Sequence, residues 1–458
     1  MGKQKNKAST RAKSVSELGD LFEGLCSEAA GSATEVDRFM NAYVSCPIDD
    51  RSYFYEDLLG RFDIGKGDVR IALKALEAGD DKDPIAWSIQ LAKLRQTIYS
   101  PRMTGFRSFL NRPGGLMFLL DLRADILSIQ RSDERNFSAL DQEIAQLLEI
   151  WFQEGFLFLR EITRGSPYNQ ISFLKEHDMV HPMVNLEEMG DRLGGDRRCF
   201  ALYHKLMPEE PVVFIEVSLT RGIASSIHGI IDEASGEYST KRKTPDCAVF
   251  YSINNTQNGL SGLGLGKLLI FQVVDVLKQD IPGIRIFSTL SPIPGFWGRY
   301  LKQIIDGRGN GFNMSAERLV GLFSSKTQQG LRTRFEEITG EQELGFLTLL
   351  GRILEADDWI ADPTYELLLR KPLTEAAYFY LSEELDSRGR PLNPVAGFHL
   401  GNGATVALRN VNFGANRTER GLRESCGLMV NYVYSADWRK RMSGTIKGWL
   451  PWKIQKKA

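Results

Sequence analysis

Two short segments of this chain set a hydroxyl and an imidazole where they could do chemistry. Ser291 stands in Ser288-Thr-Leu-Ser-Pro-Ile-Pro-Gly-Phe296, where an apolar run ends in a serine followed by two prolines and a glycine. The prolines fix φ on either side of Ile293, so the loop is stiff and can hold one hydroxyl in place. His399 stands in Gly397-Phe-His-Leu-Gly-Asn-Gly-Ala404, read as a tight glycine-rich turn before a strand. Histidine has a reference pKa of about 6.5 and can give or take a proton near neutral pH. Either segment alone reads more readily as an ordinary turn. A histidine could pass a proton, and a serine hydroxyl could donate a hydrogen bond to developing negative charge.

The other four histidines offer less. His177 and His181 are four apart, as two ligands on one helix face would be. However, Asp178 stands where a zinc-protease motif carries glutamate, and Pro182 follows at once. No third ligand suggests itself, so no metal site is expected. His204 and His228 have no partner in the sequence and read as core or surface residues.

A third segment could bind an anion. Asn254-Asn-Thr-Gln-Asn-Gly-Leu-Ser-Gly-Leu-Gly-Leu-Gly-Lys267 follows a strand and precedes a helix. Gly262, Gly264 and Gly266 allow a tight bend and close approach of a ligand, and the first helical turn presents unpaired N–H groups. Lys267 adds a cation. The turn is not a P-loop, because Ser261 stands where a glycine is required and Leu268 follows the lysine. It is not a dinucleotide fingerprint either, because Lys267 replaces the third glycine. It fits the strand–turn–helix of acyl-CoA-dependent acetyltransferase-like folds, where the turn holds the coenzyme A pyrophosphate. The bland alternative is a glycine-rich connection.

These segments need elements to position them. Residues 15–154 read as a helical domain, with Leu119, Leu122 and Ile126 on one face and Ile144, Leu147, Leu148 and Trp151 on another. Residues 155–458 read as α/β. Strands are predicted over 212–219, 247–253 and 284–290, with a helix over 265–278 between the last two. Further helices are predicted over 341–357 and 374–385, and late strands over 404–408 and 428–434. Residues 1–14 are basic and acid-free, and read as a disordered tail. A transit segment for mitochondria is the minor alternative to a cytoplasmic protein. Gly2 fails a myristoylation pattern because position 6 is asparagine.

Composition narrows the class. The charge is −1 over 458 residues, which argues against a general nucleic-acid binder. No apolar run is long enough to span a membrane. Five cysteines with no C-x-x-C pair argue against a disulfide framework and for a reducing compartment.

Several long motifs, in order, are similar to malonyl-CoA decarboxylases. They are the Ser291 and His399 segments, Ser425-Cys-Gly-Leu-Met-Val-Asn-Tyr-Val-Tyr434, Asp196-Arg-Arg-Cys-Phe200, Phe214-Ile-Glu-Val-Ser-Leu-Thr-Arg-Gly-Ile223 and Phe250-Tyr-Ser-Ile253. The N-terminal half matches more loosely, through the Pro113-Gly-Gly and Trp151-Phe stretches. The resemblance implies an α+β chain: an all-helical domain used in dimer or tetramer assembly, then an acetyltransferase-like (GNAT-type) catalytic domain. It implies malonyl-CoA as substrate, acetyl-CoA and CO2 as products, and no separate cofactor. It places the catalytic pair on Ser291 and His399, with supporting hydroxyls on Ser252 and Tyr434. Asn431 is a candidate by position alone. Some members carry glutamate where this chain has Gly264, and the peroxisomal tripeptide of animal members does not match the Gln-Lys-Lys-Ala458 ending. His399 is expected to protonate the α-carbon and Ser291 to position the malonyl group, with Ser291 in the proton relay as the open variant. The rival readings are an acetyltransferase on the same turn and a non-catalytic acyl-CoA sensor.

Overall fold

The computed structural model describes residues 2–26, 33–78, 83–132, 135–183, 185–231, 244–356 and 358–434, with side chains from residue 14 onward. Packing divides the chain into two units. The first comprises residues 1–158, 202–212 and 255–265, and the second residues 159–201, 213–254 and 266–458.

The first unit is helical, as its periodicity requires. Leu119, Leu122 and Ile126 are fully buried on the helix Gly115–Ser132, and Ile144 and Leu148 on Ser138–Trp151. Its core is a phenylalanine cluster in which Phe39, Phe109 and Phe118 meet at centroid separations of 4.9–6.1 Å. The basic segment expected as a disordered tail is instead the start of a helix, Gly2–Leu25. Residues 202–212 and 255–265, which follow the expected boundary at 155, also pack within the first unit. Residues 255–265 pack within the first unit because Gly259 lies against the helix Gly115–Ser132. A Cβ there would come within 2.1 Å of the Leu120 carbonyl oxygen, and Arg123 Nη1 donates to the Gly259 carbonyl at 2.6 Å.

Among the described residues, nine strands form two sheets. They are β1 Leu157–Ile162, β2 Arg197–His204, β3 Met207–Thr220, β4 Cys247–Asn255, β5 Ile286–Thr289, β6 Ser291–Pro292, β7 Val411–Asn412, β8 Met429–Val430 and β9 Val433–Tyr434. The larger sheet has the order β1-β2-β3-β4-β5-β9 and the smaller β6-β8-β7. β4 and β5 are parallel, joined by the helix Leu265–Asp280, so the expected strand–turn–helix–strand unit is present. β5 and β9 are antiparallel.

Two late strands were predicted differently. Residues 404–408 make only an isolated bridge, Thr405 to Val433. Residues 428–434 split into β8 and β9, one in each sheet. The helix predicted from 374 starts at Pro363, because Asp362 accepts from the Thr364 and Tyr365 amides at 2.8 and 3.1 Å and caps it. Pro372 is accommodated inside it. No helix among the described residues is long and apolar enough to cross a membrane.

Candidate active site

His399 is not in a turn. It lies on the helix Pro394–Gly401. Asn393 accepts from the Ala396 amide at 2.9 Å as the N-cap, and Pro394 occupies the first position, where its missing N–H costs nothing. Two glycines in this helix suggested a turn, but the Asn-Pro start signal was in the sequence. Asn393 also donates through Nδ2 to the Pro294 carbonyl at 3.1 Å. One side chain therefore starts the histidine helix and ties it to the Ser-Pro-Ile-Pro loop. Gly295, at φ +79°, turns that loop into the π-helical segment Phe296–Leu301.

The loop and helix bring the predicted pair together. Ser291 Oγ lies 3.4 Å from His399 Nε2. On the other side of the ring, Nδ1 lies 2.8 Å from the Tyr434 hydroxyl. The Tyr432 ring stacks on the imidazole at 4.7 Å. All four residues are buried. Burial pushes the His399 pKa down to about 3 and the Tyr434 phenol well up, so both are neutral at neutral pH. At neutral pH the ring is therefore a neutral imidazole.

The other predicted hydroxyl goes elsewhere. Ser252 Oγ donates to Asp178 Oδ1 at 2.9 Å, and Asn254 Nδ2 donates to the same oxygen at 2.9 Å. Asp178 pairs with the buried Arg192 at 3.1 Å, which also faces Glu216 at 3.4 Å. This is a buried ionic cluster, and its Glu216 carboxyl is raised to about 8, mainly by burial. Asn431 holds backbone: Nδ2 donates to the Ala224 and Thr289 carbonyls at 3.0 and 2.6 Å, and Oδ1 accepts from Asn412 at 2.7 Å. Thr289 and Tyr432 touch the pair and were not singled out from the sequence. Their signal was proximity in register to Ser291 and Tyr434.

In the glycine turn, Gly262 and Gly264 have φ of +82° and +71°, a region that favours glycine. A glutamate at 264 would have open space around its Cβ but a strained backbone. Gly266 begins the first turn of the helix Leu265–Asp280. A Cβ there would stand 3.0 Å from the ring of Phe398, the residue before His399. Glycine thus lets that helix end approach the histidine helix. Lys267 stacks its ammonium over Phe271 at 5.7 Å, and partial burial lowers its pKa. His177 ends the helix Tyr168–His177 and His181 lies beyond it, so the two share no helix face. His204 Nε2 meets the Trp151 carbonyl at 2.9 Å, and His228 Nε2 accepts from the Arg417 amide at 2.9 Å.

The second unit thus carries a buried Ser291–His399–Tyr434 chain of contacts. Residues 62–152 match the malonyl-CoA decarboxylase N-terminal domain and residues 155–442 the malonyl-CoA decarboxylase C-terminal domain. The chain is 33% identical over 385 residues to mitochondrial malonyl-CoA decarboxylase of Anser anser anser, covering 81% of this chain and 72% of that one. It is 35% identical over 339 residues to the Mus musculus protein of that name, covering 73% of this chain and 65% of that one. The solved malonyl-CoA decarboxylase of Agrobacterium vitis superposes with a TM-score of 0.77 at 29% identity, over 96% of this chain and 98% of that one. That of Rhodopseudomonas palustris gives 0.74 at 28%, over 93% and 94%. The chain belongs to the malonyl-CoA decarboxylase family of carboxy-lyases.

Proposed function

We propose that this chain converts malonyl-CoA to acetyl-CoA and CO2. The observation that carries the reading is the buried contact of Ser291 with His399, backed by Tyr434, in a member of this family. The C–C bond to the carboxylate breaks, CO2 leaves, and the electron pair enters the thioester as an enolate. Ser291 positions the malonyl group, and during the reaction its hydroxyl turns from its free-enzyme partner, Thr289 Oγ1, to donate to the developing charge. His399 gives its Nε2 proton to the α-carbon of the enolate, which is a stronger base than the imidazolate left behind. Tyr434 then shares its proton with Nδ1, and solvent restores the pair. The thioester is itself the electron sink, so the chemistry asks for no separate cofactor. The turn around Gly262, Gly264, Gly266 and Lys267 receives the coenzyme A phosphates through backbone N–H groups.

The reading includes a homo-oligomer in the cytoplasm. Helices Lys66–Glu77 and Pro84–Thr97 contain no buried residue, and Ile71, Ile85 and Ile89 are more than half exposed on them. Such an apolar face suits a second copy of the chain. Ile85→Glu is expected to lower the mass measured by light scattering; an unchanged mass would remove this face from the interface.

The test is purified protein with malonyl-CoA and EDTA, following acetyl-CoA through citrate synthase. Turnover lost in His399→Ala is expected. Folded protein that makes no acetyl-CoA overturns the reading.

A further inference from the structure

The two sheets part between Thr289 and Ser291. Ser288 lies opposite Val433 in the larger sheet and Ser291 opposite Val430 in the smaller one. The register carries across the break, so Thr289 faces Tyr432. The Thr289 amide donates to the Tyr432 carbonyl at 3.0 Å, as an antiparallel ladder requires. The reciprocal bond is diverted. The Tyr432 amide donates to Thr289 Oγ1 at 3.1 Å, and the Thr289 carbonyl is taken by Asn431 Nδ2 at 2.6 Å. Ser291 Oγ donates to the same Thr289 Oγ1 at 2.9 Å. Thr289 is 0% exposed, so water does not compete for these bonds.

A hydroxyl oxygen offers two lone pairs. At Thr289 both are taken, one by an amide that can only donate and one by Ser291. Ser291 has a single proton, and in the free enzyme it is held by Thr289. It therefore presents a lone pair to His399 Nε2, 3.4 Å away. Two bare acceptors repel, so this contact is attractive when Nε2 carries the imidazole proton. Nδ1 is then the unprotonated nitrogen and accepts from the Tyr434 hydroxyl at 2.8 Å.

We infer that Thr289 is a positioning residue for His399. By holding the Ser291 proton it sets the direction of the chain from Tyr434 through His399 and Ser291, and keeps the imidazole proton on Nε2. The inference rests on His399 as the proton donor, but the tautomer is a property of the free enzyme and is measured without turnover.

Long-range 1H–15N spectra of the histidine-labelled full chain separate the two neutral tautomers, with His399 identified by its absence in His399→Gln. The wild type is expected as the Nε2–H form. Thr289→Val frees the Ser291 proton to go to Nε2, so His399 should move toward the Nδ1–H form. Its kcat should fall about 10–100-fold, with KM changed by no more than about twofold. Thr289→Ser should restore both the tautomer and the rate. An Nδ1–H form in the wild type, or an unchanged tautomer in Thr289→Val, overturns the inference. Should Thr289→Val fail to fold, the wild-type spectrum and Thr289→Ala decide by the same criteria. Expected tautomers in a protein that makes no acetyl-CoA would overturn the decarboxylase reading and leave the Thr289 geometry standing.

Discussion

The Tyr434 hydroxyl meets Nδ1 of His399 at 2.8 Å, across the ring from the nitrogen that faces Ser291. The imidazole is thus held at both nitrogens, and each partner should matter in its own way. Tyr434→Phe keeps the ring but removes the hydroxyl that can pass a proton to Nδ1. Its kcat is expected to fall about 10–100-fold with KM little changed. His399→Ala should cost about 10²–10⁴ in kcat. Ser291→Ala should cost about 10²–10³ if its hydroxyl stabilises developing charge. Steady-state kinetics on malonyl-CoA read all three, and a Ser291→Ala effect confined to KM would reduce that residue to a binding group.

Burial leaves His399 with a pKa of about 3. It stays neutral from mildly acid to alkaline pH, and the raised Tyr434 phenol does not ionise there either. The profile of kcat/KM should therefore show no acid limb near pH 6.5 from this histidine. A limb near 6.5 that disappears in an otherwise active His399 variant would return the proton-donor role to an imidazolium.

Asn431 closes the gap between the sheets through two buried hydrogen bonds and one part-buried one. Asn431→Ala removes the donor to the Ala224 carbonyl and leaves the Thr289 carbonyl with the Ser288 hydroxyl at 3.2 Å. The expected loss is about 2–4 kcal/mol of stability, read by urea unfolding. A fall in kcat with unchanged stability would make Asn431 part of the chemistry rather than of the frame.

The buried carboxyl of Glu216 and the buried His399 act on stability in opposite directions. Glu216 has a native pKa raised to about 8, so the folded state holds its proton where the unfolded chain has lost it. That contribution is full below the unfolded carboxyl pKa of about 4.3 and is lost as pH rises toward 8. His399 is depressed in the native state, so its contribution is full above about 6.5 and is lost as pH falls toward 3. His181, also lowered chiefly by burial, adds to the acid side. These groups place the stability maximum near about pH 6.5. Glu216→Gln mimics the protonated carboxyl and should flatten the decline between pH 6.5 and 8 in urea melts. An unchanged decline would show that Glu216 is ionised in the fold.

Much of this was legible along the chain. Alternating and continuous apolar runs marked β3, β4 and β5, because buried strands must be apolar whatever packs on them. The glycine turn and its helix were legible because backbone conformations such as that of Gly264 demand a residue type. The histidine helix was misread for a reason within the sequence: two glycines in eight residues outweighed the Asn393-Pro394 start. The splitting of 428–434 between two sheets was not legible, since both halves have the same strand-forming composition.

The sequence by itself determined which groups could act, Ser291 and His399, and that they stand on a stiff loop and near a glycine-rich turn. Residue type and local backbone preference are written residue by residue, so they survive without a fold. Tertiary structure alone decided the protonation and the direction of the bonds. The neutral state of His399 comes from burial by elements far apart in the chain. The placing of Ser252 on Asp178 rather than on His399, and of Thr289 under Ser291, depends on strand register. Desolvation and hydrogen-bond direction are properties of what surrounds a group in space, and no stretch of sequence carries them.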